Sequence, residues 1–193
     1  NFKPLDEIVL LASPPDTPDG GATFFQSLTG AKMASAASGL AAQALAEAKL
    51  TLVVPSDERS QKALGLDGVV GEWAFVTKQD VATRLKVQQK LEALDTANRG
   101  NLPGSGAVGS LGLAILTLGG TVKSAPETIG DWLNLDVTVA KSDLVVGVIN
   151  EILVDHEGGE VAQYLSGLAA VNQKPLIAVS NSSVPTKDAR ALG

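Results

Sequence analysis

A mostly parallel α/β sheet with helices on both faces is the fold that this chain predicts, and three observations lead there. Short apolar runs alternate with longer helical stretches, the order that right-handed β-α-β crossovers produce. Aromatic residues make up only 4% of the 193 residues, so alanine, valine, leucine and glycine carry the packing, which suits helices lying close on a sheet. The stretch Leu102 to Gly120, LPGSGAVGSLGLAILTLGG, opens a small-residue helix with Gly104, Gly106, Gly109 and Gly112 and closes it with Gly119 and Gly120.

Glu7 to Ala12 (EIVLLA) is a nearly continuous apolar run and predicts a strand buried on both faces. SPPDTPDGG, from Ser13 to Gly21, predicts a loop from its prolines and glycines. Leu28 to Ala48 is alanine-rich and predicts a helix. LTLVV, Leu50 to Val54, predicts a second strand stopped by Pro55, and Asp57 to Gly71 reads as irregular. Thr77 to Asp80 resembles a capping box, with aspartate in place of the preferred glutamate or glutamine, and in the helix after it Val87, Leu91 and Leu94 share a face. Asn98 to Ser105 connects to the glycine-rich helix, which Gly119 and Gly120 stop. Ser124 is placed to cap a short helix that tolerates Pro126 in its first turn and directs Ile129, Trp132 and Leu133 inward. Asp143 to Ile149 and Pro175 to Ser180 predict further strands. Between them Gly158 to Val171 predicts a helix with Val161, Tyr164, Leu165 and Leu168 on one face, and a last helix is expected from Val184.

The length suits one domain, or one domain with a small lobe, and buries a core without staples. A formal charge of −6 repels nucleic acid and anionic membranes, so neither is an expected partner. The chain has no cysteine and a single histidine, which excludes disulfides, thiolate catalysis and cysteine- or histidine-rich metal sites; no metal ligand is assigned. With no apolar run of spanning length and no signal-peptide pattern, a cytoplasmic location is expected.

Several residue groups carry candidate chemistry. A glycine-rich turn feeding a helix aims N–H groups at a phosphate, but tight packing of that helix calls for the same residues, and the sequence leaves both readings open. Asp19 with Gly20 and Gly21 follows the first strand, at the end where open α/β sheets bind ligands; the alternative is a plain surface turn. Glu151, Asp155, Glu157 and Glu160 read as an acidic run at a helix N-terminus rather than a Mg²⁺ site, and His156 among them reads as solvated rather than as a base. Asn181, Ser182 and Ser183 serve either as anion donors or as helix caps. Arg99 and Lys123 flank the glycine-rich helix and read as solvated charge. There is no GxxxxGK[ST] motif, and GSGAVG lacks the strand directly before it that a dinucleotide fingerprint requires.

From Leu102 to Ile149 the sequence resembles the bacterial type I glycerate kinase family: a leucine-proline step, a glycine-alanine-rich turn, a helix, then an aspartate opening a strand that the family writes DLVITGEG and this chain writes DLVVGVI from Asp143. Thr17 to Ala22 with Gln26 and Leu28 is similar to the family's TNDGGAGMLQAL. Leu50 to Val81 is similar to its CDVDNPLLGPRG…VFGPQKGAT passage, with Asp57, Gly65, Gly71 and Thr77 in register. NQKPLIAVSNSS from Asn172 resembles VPVIALAGRVG, and the closing ARALG resembles LRAAG. The resemblance implies one unit over residues 1–193, with about 1–100 matching the family's middle portion and about 101–193 its later portion, and a fold lacking the family's opening segment.

Family members transfer phosphate from ATP to D-glycerate, and several polar positions differ here. The family's glycine-glycine-serine falls on Ser13, Pro14 and Pro15, the first aspartate of CDVDN on Pro55, and the lysine of GPQKG on Ala74. GEGRLD falls on Val148 to Leu153, which puts Glu151 at the arginine, and the next lysine falls on Glu160. Phosphoryl transfer needs positive charge on the moving oxygens, and these exchanges remove it. The expected protein is glycerate kinase-like with weak or lost kinase activity, using ATP and Mg²⁺ if active. Asp19 and Asp57 are its catalytic candidates, and Gly20, Gly21, Gly104, Gly106 and Gly109 its cofactor-binding candidates. A small anionic metabolite or nucleotide is the expected ligand. The rival reading is a non-enzymatic small-molecule-binding or protein-interaction module, homodimeric through surface that the family's opening segment covers.

Overall fold

Short β-branched and leucine-rich runs pair side by side in parallel, and the helices between them supply the cover that parallel strands need. The computed structural model describes residues 7–29, 48–65, 67–149 and 159–180. The chain divides into two units, Asn1–Ser124 and Ala125–Gly193.

Unit 1 holds three parallel strands in the order β1 (Glu7–Leu11), β2 (Lys49–Val54), β3 (Thr121–Ser124). Ile8 pairs with Leu50, and Leu52 with Val122. β2 lies between the other two, so Leu50, Leu52 and Val54 are buried. β1 pairs only with β2 among the described strands, and its last residue, Leu11, is 81% exposed; the expectation of burial on both faces fails at this edge. β3 was not expected from TVKS, which is four residues long and ends in polar Lys123 and Ser124; its place is set by pairing with β2.

Helix α1 (Ala22–Thr29) follows the proline-rich loop; residues 30–47, most of the expected alanine-rich helix, lie outside the described residues. A 3-10 turn (Glu58–Ser60) and α2 (Val69–Val76) interrupt the stretch expected to be irregular. The C-cap of α2 is Thr77, whose hydroxyl donates to the Trp73 carbonyl, while Asp80 alone caps α3 (Val81–Leu94) by accepting the Thr83 N–H at 2.6 Å. Leu91 is buried on α3, with Val87 and Leu94 packed beside it, as the spacing predicts.

The glycine-rich segment forms α4 (Ala107–Thr117), buried continuously from Ala107 to Ile115. A helix apolar on every side belongs inside a core rather than on a surface. Leu113, Ala114 and Ile115 join Leu50, Leu52, Val54 and Phe25 in one cluster. Gly112 permits this packing, because a Cβ there would overlap the Gly104 carbonyl oxygen.

Unit 2 begins with α5 (Ala125–Trp132) and α6 (Leu135–Lys141), continues through β4 (Val145–Ile149) and α7 (Glu160–Val171), and reaches β5 (Leu176–Ser180). β4 and β5 pair in parallel, with Val146 opposite Ile177 and Val148 opposite Val179. Val139, Val145 and Ala169 form its core, with Leu168 and Leu176 against them. Ile129, Trp132 and Leu133, expected inward, are each more than half exposed. The inward positions of α5 are Thr128 and Gly130 instead, and a Cβ on Gly130 would meet the Tyr164 hydroxyl. Burial and the surrounding Asp131, Glu127 and Asp136 push the Tyr164 phenol above its ordinary pKa. On α7, Leu168 packs on the core and Tyr164 and Leu165 are half-buried, as expected, while Val161 is exposed and Ala162 and Ala169 are the fully buried positions. The helix expected from Val184 lies outside the described residues.

Candidate functional site

Loops at the carboxyl ends of parallel strands are where open α/β sheets gather ligands, and in unit 1 two such loops meet. The loop after β1 carries Pro14, Pro15 and Pro18, and the Trp73 indole on α2 pins it by donating to the Asp16 carbonyl at 2.8 Å. The loop after β2 carries Asp57 and Glu58. With α2 and the start of α4, these loops enclose a cavity of about 610 Å³. That size suits a small molecule or cofactor.

The sequence candidates separate around this cavity. Asp57 and Gly109 line it. Asp19 is instead engaged at the start of α1, where Oδ1 accepts the Gly21 N–H at 2.8 Å and Oδ2 the Thr23 N–H at 3.0 Å. Gly20 and Gly21 adopt left-handed φ of +70° and +74°. A Cβ on Gly20 would press on Leu91 and Leu94, and one on Gly21 would lie 2.6 Å from the Ala114 Cβ, so this turn rests against α3 and α4. Gly104 packs on Val122, and Gly106 on the Lys62 carbonyl. Close packing accounts for each of these glycines: a Cβ on Gly109 would lie 2.5 Å from the Pro15 ring, and Gly104, Gly106 and Gly112 are as tightly placed, while Gly109 also lines the cavity.

Where α4 begins, Val108, Gly109 and Ser110 all take left-handed backbone angles. For valine this conformation carries a steric penalty. The turn is held from outside by Glu58, whose Oε2 accepts the Val108 N–H at 2.6 Å. Behind it, the fully buried Ser105 hydroxyl accepts the Ala63 N–H and donates to the Gly100 carbonyl, each at 2.8 Å. Ser110 Oγ is buried and has no hydrogen-bond partner among the described residues.

The lining is rich in negative charge. Among the described lining residues, Asp57, Glu58, Asp67 and Glu72 stand against one cation, Lys62. Glu72 accepts from Gln61 Nε2 at 2.6 Å. Among the described residues, no three carboxylate or imidazole groups gather as a metal site. To a polyphosphate the described lining offers one cation, Lys62, where phosphoryl transfer draws on several positive groups. Glu58, Gln61, Lys62, Asp67, Glu72 and Trp73 were not singled out from the sequence. Trp73, one of two tryptophans in an aromatic-poor chain, was the available signal. Arg99 and Lys123 are not among the lining residues. Glu151, Asp155, His156, Glu157, Asn181, Ser182 and Ser183 lie outside the described residues.

Comparison with known proteins now places this architecture. No curated protein matches the chain. Among solved structures it is similar to a protein from Salmonella typhimurium LT2 assigned as glycerate kinase 2, with a TM-score of 0.63 at 17% identity. The match covers 97% of this chain and 60% of that one, and at such identity it speaks for the fold alone. Residues 59–191 match the glycerate kinase family model, which is most of the chain's length. The chain therefore belongs to the glycerate kinase family.

Proposed function

We propose that this is a glycerate kinase-like protein of the cytoplasm, derived from ATP-dependent phosphorylation of D-glycerate, in which kinase activity is weak or lost. Residues 1–193 are read as one family portion, about 1–100 its middle and about 101–193 its later part. The observation that supports the reading is the charge of the described residues lining the unit 1 cavity, four carboxylates to one lysine. A phosphoryl group in flight spreads negative charge over its oxygens, and catalysis consists largely of positioned positive charge answering it. A lining of this sign opposes that stabilisation.

Within this reading Asp57 and Gly109 are the site residues nearest a bound ligand. Asp19, Gly20, Gly21, Gly104 and Gly106 hold the surrounding turns in place. The ancestral ligands are a small anionic metabolite and a nucleotide. The test is ADP formation by the purified chain with ATP, Mg²⁺ and D-glycerate. The expected turnover lies well below about 1 s⁻¹, the lower end for ordinary kinases; a rate within the ordinary range overturns the reading.

A further inference from the structure

We propose that Glu58 sets the ligand specificity of the unit 1 cavity, by occupying with its own carboxylate the backbone donor that a small oxyanion would use. This rests on the reading of the cavity given above and names the residue responsible. Glu58 Oε2 meets the Val108 N–H at 2.6 Å, the short length of a charge-assisted hydrogen bond. Donor and acceptor lie 50 residues apart in sequence, so the contact is made by the fold rather than by a local turn. Glu58 and Gly109, the residue after Val108, both line the cavity, so the contact sits at its wall.

Val108, at φ 51°, ψ 54°, breaks the hand of the helix, and while the Ala107 and Ser110 amides donate to the Gly104 and Gly106 carbonyls, the Val108 amide has no backbone acceptor and turns to Glu58. In this chain an internal carboxylate fills the place. An incoming phosphate or carboxylate oxygen must displace Glu58 and then lie beside it, in a cavity also lined by Asp57, Asp67 and Glu72. A neutral or cationic ligand meets no such competitor.

Calorimetric titration of the whole chain with inorganic phosphate, and separately with D-glycerate, tests this across three proteins: wild type, Glu58→Ala and Asp67→Asn. Each variant removes one negative charge from the same lining, but only the first frees an amide. Glu58→Ala is expected to bind phosphate about tenfold more tightly than wild type, the equivalent of one charge-assisted hydrogen bond. Asp67→Asn is expected to gain about threefold or less, as for an exposed charge, and D-glycerate should follow the same order. If Glu58→Ala does not fold by circular dichroism, Glu58→Leu fills the space without an oxygen acceptor, frees the same amide, and must still gain more than Asp67→Asn. Equal gains from the two positions, or none from Glu58, overturn the proposal. Rapid phosphorylation of D-glycerate by the wild type would instead overturn the functional reading, so the two failures are distinct.

Discussion

Units 1 and 2 use the same device, parallel apolar strands with helices packed on them, and bury it to different extents. Leu52 on β2 is fully buried, whereas Val148 on β4 is 83% exposed. Both lie in runs of similar hydrophobicity, LTLVV and DLVVGVI. The difference comes from the elements around them. β2 has a strand on each side and α4, buried from Ala107 to Ile115, against it. β4 pairs with β5 alone among the described strands and packs on α7, and its alternate residues Val146 and Val148 are exposed together with Ile177 and Val179 of β5. Apolar composition therefore marks a strand without saying how many of its faces are covered.

Each unit carries one of the two tryptophans, Trp73 in unit 1 and Trp132 in unit 2, so urea unfolding followed by fluorescence in Trp73→Phe and Trp132→Phe backgrounds reports the units separately. The largest loss is expected in unit 1. Leu113→Ala empties a fully buried position and should destabilise it by about 3 kcal/mol. Gly112→Ala forces a Cβ onto a backbone carbonyl and should lose about 2–3 kcal/mol. Its counterpart in unit 2, Gly130→Ala, meets the far end of the Tyr164 side chain, which can swing away, so about 1 kcal/mol is expected. Equal losses at the two glycines would break the comparison.

Ser105→Ala strands the buried Ala63 N–H and should lose about 2 kcal/mol in unit 1. Val148→Thr should change unit 2 by less than about 0.5 kcal/mol, as for an open surface position. A loss several times larger would mean that this face is covered in solution.

The pH responses of the two units also differ in sign. Hydrogen bonds from Thr83 hold the Asp80 carboxyl below its usual range. A depressed folded pKa gives stability that is present above the unfolded value, about pH 4, and lost as pH falls through the folded one. Asp80→Asn should therefore flatten the acid side of the unit 1 stability profile. Tyr164 has a raised folded pKa, led by burial. Its contribution is present below the unfolded value, about pH 10, and lost as pH rises through the folded one, so Tyr164→Phe should flatten the alkaline side for unit 2.

Much of the scaffold was legible because periodicity and burial coincide. β2 and the Val87–Leu91–Leu94 face of α3 show their packing in their spacing. β3 was hidden because TVKS has little pattern of its own. In α5 the apolar residues suggested a buried face, yet Thr128 and Gly130 are its buried positions, with Gly130 against Tyr164. The cavity was the least visible part. Asp57 was found through a family resemblance, but Glu58, Glu72 and Trp73 lie where hydrophobic spacing says nothing. They are brought to one place by contacts between distant residues, such as Trp73 to Asp16 and Val108 to Glu58. The left-handed run at Val108 was also concealed, since valine resists that conformation and only the surrounding structure imposes it.

The proposed loss of kinase activity rests on the described lining of the unit 1 cavity, whose four carboxylates and one lysine oppose a nucleotide's phosphates. Calorimetric titration of the purified chain with ATP in the presence of Mg²⁺ tests this most directly. Saturation only above about 1 mM, an affinity of roughly 4 kcal/mol, is predicted. Saturable binding at about 1 μM would contradict it.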